Sequence, residues 1–344
     1  MPALVYPETK HIEEIEQTLL PRLTIDSPIF KYFPFDSDDN HLIEWEQLDN
    51  YTGLQQLRGY NGLPMSVPRI GSKRYRAEPG VYGEFIPLDE EEMTRRRRRA
   101  TYSSGPIKLN DLVAEAFKQL LTRRLNLVEK IVWDLLIAGT FSVAHPTTGV
   151  TYSGSYTPPQ FTPSPLWSPA NKATAAPLAG MRTFRDYGVG QSCSFGGNAV
   201  QFYNSVTARS ILANTNADDL GGVLLGGGNT VNSLNNVNEV LIMNDIPKIV
   251  IYDEGYIDAN GTFQYFIPTG KGLVIGKRKS GVALGRYRYT QNVNSPNGAP
   301  KPYSRVIIKG DKEIPASVEV HDGHNGGPLI QFPGSVIVVN AYVP

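Results

Sequence analysis

The sequence predicts an α+β fold on three observations: one very long amphipathic segment between Pro106 and Gly139, a series of short apolar runs after Lys248, and an extended, turn-rich stretch ahead of both. In the long segment, Leu109, Leu112, Val113, Ala116, Phe117, Leu120 and Leu121 recur at three- and four-residue spacing, and Leu125, Val128, Ile131, Val132, Leu135 and Leu136 continue the stripe. That period belongs to a helix with one buried face. Asn110 is placed to cap its start and Gly139 to end it in the left-handed conformation. About 29 residues at 1.5 Å each make a rod of about 43 Å, more than twice the mean globular helix. A compact enzyme has little use for such a rod, whereas a protein that holds an extended shape does.

Ahead of the helix, residues 9–21 read as a short helix ending near Pro21, and SPIFKYFPFDSDDN reads as an extended arm. From Ile43 to Ile86 the chain makes a long, partly β excursion punctuated by Gly53, Gly59, Gly62, Pro64, Pro68 and Gly71. Such a hairpin needs a neighbour to be stable. Residues 140–170, rich in Thr, Ser, Pro and Tyr, read as loops or short strands. AAPLAGMRTFRDYG, AVQFYNSVTARSILAN and residues 231–243 read as helical, with a glycine-dense loop at Gly221–Gly228. KIVIYD, GLVIGKR, RVIIKG, SVEV and SVIVVNAYV read as strands, and GYIDANGTFQYF as a hairpin turning at Asn260-Gly261.

Composition narrows the function. Of 344 residues, 40% are hydrophobic and 19% charged, with 33 Gly and 26 Pro, as in a folded, loop-rich chain. The 33 basic and 33 acidic residues cancel, which disfavours a generic nucleic-acid coat and gives no attraction to a membrane. A single cysteine, Cys193, excludes an internal disulfide framework. The N-terminus lacks the charged and apolar regions of a signal peptide, and no apolar run reaches the length of a membrane span.

Catalytic motifs are not found. Gly190-Gln-Ser192-Cys-Ser194 fails as a nucleophile elbow at its last position, and Ile267–Gly272 lacks the glycine and the Ser or Thr of a phosphate loop, so it reads as a turn. His321, Asp322 and His324 in HDGHNGGP have no completing metal ligand and read as a polar loop. Asp258–Gly261 lacks the remaining calcium-loop positions, and Asp253 with Glu254 reads as a solvated edge. No catalytic, metal or cofactor residue is assigned. Arg95–Arg99 follow Asp89–Glu92, and Glu91–Arg95 and Glu92–Arg96 fall at i,i+4 in the favoured order. They read as charges paired within the chain or across subunits.

Four segments together resemble the major capsid proteins of tailed bacteriophages, in particular the lambda capsid protein E group with the Hong Kong 97-type fold. They are AEPGVYGEFIPLDEEEM (77–93), VEKIVWDLLIAGTFSV (128–143), SPLWSPANKATAAPLAGM (164–181) and IVIYDEGYIDANGTFQYFIPTGKGLVIGKR (249–278). The resemblance implies an N-terminal arm (1–42), an E-loop hairpin (43–88) and a peripheral domain (89–197) around a spine helix at about 108–139. It also implies an axial domain (198–320) with a mixed or antiparallel sheet, and a C-terminal strand (321–344) returning to the peripheral domain. The function implied is a structural shell protein that assembles as hexamers and pentamers around double-stranded DNA held without sequence-specific binding. Portal, scaffolding and cement proteins would be its partners, the virion its location and the host cytoplasm its place of assembly. A phage tail or adhesion protein is the alternative, but such chains carry repeats, and none is found here. Candidate intersubunit contacts are Phe30, Tyr32, Phe33 and Phe35 in the arm, Lys73 and Arg74 in the E-loop, and Glu91, Glu92, Arg95 and Arg96 after it. The arm's aromatic residues have no predicted core of their own to enter. Lys73 also lies in the loop from which some members form a lysine–asparagine crosslink.

Overall fold

A computed structural model describes residues 9–25, 27–48, 54–55, 60, 66, 72–89, 91, 93, 108–144, 151–191, 193–213, 234–278, 283–309 and 317–343. Chain order begins with α1 (Thr9–Ile25), β1 (Phe35–Ser37), β2 (Ile43–Leu48), β3 (Ser72–Ala77), β4 (Gly80–Leu88) and the long helix α2 (Leu109–Ala138). Next come β5 (Thr140–Ala144), β6 (Thr151–Ser155), β7 (Gln160–Phe161), α3 (Pro177–Arg182), α4 (Phe184–Gly188), β8 (Cys193–Ser194), β9 (Val200–Tyr203), α5 (Ser205–Leu212) and α6 (Leu234–Met243). The remainder is β10 (Lys248–Ile251), β11 (Gly255–Ile257), β12 (Phe263–Tyr265), β13 (Lys271–Ile275), β14 (Lys277–Arg278), β15 (Gly285–Tyr289), β16 (Tyr303–Lys309), β17 (Ser317–Ile330) and β18 (Val336–Asn340).

The helix α2 has 30 residues, and every one of the thirteen apolar positions named above is buried. Its end is as expected: Gly139 takes φ +72°, and a side chain there would meet the Tyr156 carbonyl. Its start differs. The Lys108 carbonyl accepts the amides of Asp111 and Leu112, so Asn110 lies inside the first turn and does not cap it. Pro21 is likewise no stop, because α1 runs through it to Ile25.

The chain divides into two compact units. The first contains Met1–Ile43, Arg76–Glu129 and Gly285–Leu329. Its sheet runs β1-β15-β17-β16, with β4 also paired to β17. The segment HDGHNGGP is not a loop but the middle of the fourteen-residue β17, with β16 antiparallel on one side and β4 on the other. Glycine makes this possible. Gly323 stands opposite Gly83 and Gly326 opposite Gly80. A Cβ on Gly323 would sit 2.5 Å from the Tyr82 carbonyl and 2.7 Å from the Tyr303 hydroxyl. The polar residues between the glycines hide a strand that apolar alternation would have revealed.

The second unit contains Glu44–Tyr75, Lys130–Leu284 and Ile330–Pro344. Its main sheet runs β10-β9-β13-β18-β7 and is mixed, with β9–β10 and β7–β18 parallel and β13 antiparallel to both neighbours. Phe184, Ala208, Ile211, Val237, Leu241, Ile249, Val274, Ile337 and Val339 close its core. AVQFY proves to be strand β9 rather than helix, since it is hydrogen-bonded on both sides, and the helix begins only at Asn204, whose side chain caps Thr207. The hairpin at Asn260-Gly261 forms as expected, with Gly261 at φ +78°.

The implied domain limits do not coincide with the two units. Residues 303–309 and 317–320, expected in the axial domain, belong to the first unit's sheet. The C-terminal strand β18 lies between β13 and β7 in the second unit's sheet. Backbone hydrogen bonds between strands far apart in sequence decide this, and residue order along the chain does not record them.

Candidate subunit-contact surface and a buried charge cluster

Two of the arm's four aromatic candidates, Phe30 and Phe33, are buried within their own chain. Ile29 and Phe33 are fully buried, Phe30 is 9% exposed, and Tyr32 and Phe35 are half-buried. Phe35 stacks flat on Tyr289 at 5.5 Å and lies 5.1 Å from Phe30, because β1 pairs in parallel with β15. Arg288 adds ion pairs to Asp36 (3.1 Å) and Asp38 (3.0 Å). The expectation that the arm's rings have no core of their own to enter is therefore corrected for Phe30 and Phe33. The first unit's own sheet supplies the core they lacked, through a strand 252 positions away in register.

The E-loop candidates fare differently. Strands β2 and β3 form a two-stranded ribbon of their own. Trp45 stacks on Tyr75 at 5.3 Å, and an exposed Arg74 bridges to Glu46 at 2.9 Å. Lys73 lies on β3. Glu91 is exposed in a short helical turn after Asp89, while Glu92, Arg95 and Arg96, like the rest of Arg95–Arg99 and Gly221–Gly228, lie outside the described residues. A two-stranded ribbon is marginal without a third partner.

The supposed metal triplet is taken apart by strand geometry. Successive residues of β17 point to opposite faces. His321 pairs with Glu319 at 3.0 Å and stacks on Phe85. Asp322 and His324 point inward and are buried, with His324 Nε2 2.9 Å from the Tyr287 hydroxyl. No group of three metal-ligating side chains converges among the described residues. Asp253 and Glu254 are exposed just after β10, as a solvated edge requires, and Asp253 Oδ1 accepts the Ser205 amide at 2.7 Å.

What the sequence reading missed is a buried charge cluster. Arg124, on α2, donates from Nη1 to Asp322 Oδ1 at 2.8 Å and from Nη2 to Glu16 on α1. Ser304 Oγ donates to the same Asp322 oxygen at 3.0 Å. One turn away, Glu129 accepts from Ser27 Oγ at 2.7 Å. Beside them Arg123 clamps Glu84 of β4 with two bonds, of 2.5 and 2.7 Å. The signal was present: Arg124 lies four residues after Leu120 and three after Leu121, on the apolar stripe, where an unpaired charge would be costly.

Burial pushes the Asp322 carboxyl up from 3.8 to about 6, although Arg124 and Ser304 pull the other way. Burial, with Arg124 nearby, pulls His324 down from 6.5 to about 3. The two have opposite effects on stability. Unfolded His324 binds a proton below about 6.5 that the folded state refuses, so acidification costs stability. Folded Asp322 binds its proton near 6, ahead of the unfolded chain, so acidification between about 6 and 3.8 restores stability. The near-cancellation should be unmasked by single variants. His324→Gln is expected to gain stability as pH falls from 6 to 4, and Asp322→Asn to lose it, each by up to about 1.4 kcal/mol per pH unit. Urea midpoints at pH 4, 5 and 6 check this, and equal slopes in the two variants would contradict it.

Neither a family model nor a curated protein matches the sequence. Solved structures do match. A protein assigned as the capsid protein of an Escherichia coli CFT073 prophage superposes with a TM-score of 0.60 at 14% identity, covering 95% of this chain and 98% of that one. A phage-related protein from Bordetella bronchiseptica RB50 gives 0.55 at 10% identity, covering 98% and 96%. The capsid of cyanophage A-1(L) gives 0.50 at 12% identity, covering 92% and 93%. The chain has the α+β fold of these proteins, end to end, in keeping with the Hong Kong 97-type fold.

Proposed function

We propose that this chain is the major capsid protein of a tailed bacteriophage, assembling with copies of itself into an icosahedral shell around double-stranded DNA. The observation that carries the reading is the end-to-end likeness to two phage capsid chains, with at least 92% of both partners covered in each comparison. A tail or adhesion component is less well supported, because neither repeats nor a fibre-like period occur in the sequence. The role is structural rather than catalytic. In this reading the first unit's sheet belongs to the peripheral domain, α2 is the spine helix, and the main sheet of the second unit belongs to the axial domain. The β2–β3 ribbon gains its missing partner by lying on an adjacent subunit, and Arg74 and Lys73 travel with it. Hexamers and pentamers form the shell, with portal, scaffolding and cement proteins as accessory partners. Assembly takes place in the host cytoplasm and the product is the virion. No helix among the described residues is long and apolar enough to cross a membrane. Sedimentation of the expressed chain tests the reading: rapidly sedimenting particles of uniform size are expected, whereas monomers or dimers under all conditions would count against it.

A further inference from the structure

Helix α1 is held differently from the segment that directly follows it. Among its described side chains none is buried, and Ile15, Glu16, Leu19, Leu20 and Thr24 are only half-covered. Immediately afterwards Ser27, Ile29, Phe30 and Phe33 are all buried. The helix also carries weaknesses of its own. Pro21 has no amide to donate, and Thr18 and Thr24 turn their hydroxyls back onto the carbonyls of Glu14 and Leu20. Among its described side chains, Glu16 is the one linked to a buried charge, Arg124.

We propose that α1 is a strap that lifts from its own subunit as a unit, with Glu16 on Arg124 as its latch and Ser27 on Glu129 as the pin at its hinge. Two features allow this. Arg124 is 5% exposed and would be stranded if Glu16 were its sole partner, but Asp322 remains. Lifting α1 therefore breaks the Glu16–Arg124 pair without leaving Arg124 an uncompensated buried cation. The pin at Ser27 is itself buried and bonded at 2.7 Å, so opening stops there and does not propagate into the Ile29–Phe33 core. Segments with little buried apolar surface open at free energies well below that of global unfolding. The inference concerns the individual subunit and does not depend on the shell-forming reading.

Hydrogen exchange on the full chain, with urea unfolding alongside, tests the strap. In the unaltered protein, amides of residues 9–25 should exchange faster than those of 28–37 and 109–129. Glu16→Ala should speed exchange in residues 9–25 about tenfold or more while leaving both other segments and the urea midpoint unchanged. Glu16→Gln, which keeps the size but not the charge, should fall between. Unchanged exchange in α1 would show that Glu16 is not a latch. A rise across all three segments, or a lowered urea midpoint, would show that α1 belongs to the cooperative core. Either outcome overturns the proposal.

Discussion

Asp322→Ala should lower the stability of the first unit by about 3–5 kcal/mol, the cost of breaking a buried pair by removing one partner. Arg124 and Asp322 have side chains only 3% and 4% exposed, and they join α2 to the central strand of the sheet. Removing the carboxylate leaves Arg124 with Glu16, on a helix whose described side chains are nowhere buried. It also leaves the Ser304 hydroxyl without the acceptor that the Asp322 Oδ1 provides. The surface pair Arg74–Glu46 is the control. With side chains 76% and 48% exposed, it should contribute less than about 1 kcal/mol, so Glu46→Ala is expected to be nearly silent. Urea unfolding of both variants separates the two cases, and similar losses would mean that burial is not what makes the Asp322 pair matter.

Deleting residues 1–35 should prevent the first unit from folding. The deletion removes Ile29, Phe30 and Phe33 from the core, and truncating a buried Phe alone typically costs about 3–5 kcal/mol. Total stabilities of about 5–15 kcal/mol do not survive three such losses together with Phe35 and its strand. The burial of Ile29, Phe30 and Phe33 corrects the sequence-based view that the arm has no core of its own to enter. A shorter deletion, of residues 1–25, stops before Ser27 and should leave a folded subunit. Circular dichroism and soluble yield of the two truncations distinguish the cases. A cooperative, soluble 36–344 fragment would contradict the assignment of Phe33 to the core.

The long helix was legible almost residue by residue because burial of one face imposes a 3.6-residue period that sequence displays directly. The hairpin at Asn260-Gly261 was legible for a similar reason, since a left-handed turn position selects glycine. The centre of β17 was not legible. Its close strand approach calls for glycine, and its inward positions carry Asp322 and His324, whose partners Arg124 and Tyr287 lie 198 and 37 residues away. The same long-range pairing hid the core of the arm: Phe35 sits on β1, and its partner on β15, Tyr287, is 252 residues distant. Of the contact candidates, Phe30 and Phe33 are spent inside the subunit, while Arg74 remains on an exposed ribbon.

Electron cryomicroscopy of the particles formed by the expressed chain tests the shell-forming account most directly. Closed icosahedral shells are predicted, with the first unit's sheet and α2 recognisable in each subunit and the β2–β3 ribbon seated on a neighbour. Fibres, open tubes or a small discrete oligomer, or shells in which residues 43–77 touch only their own chain, would contradict it.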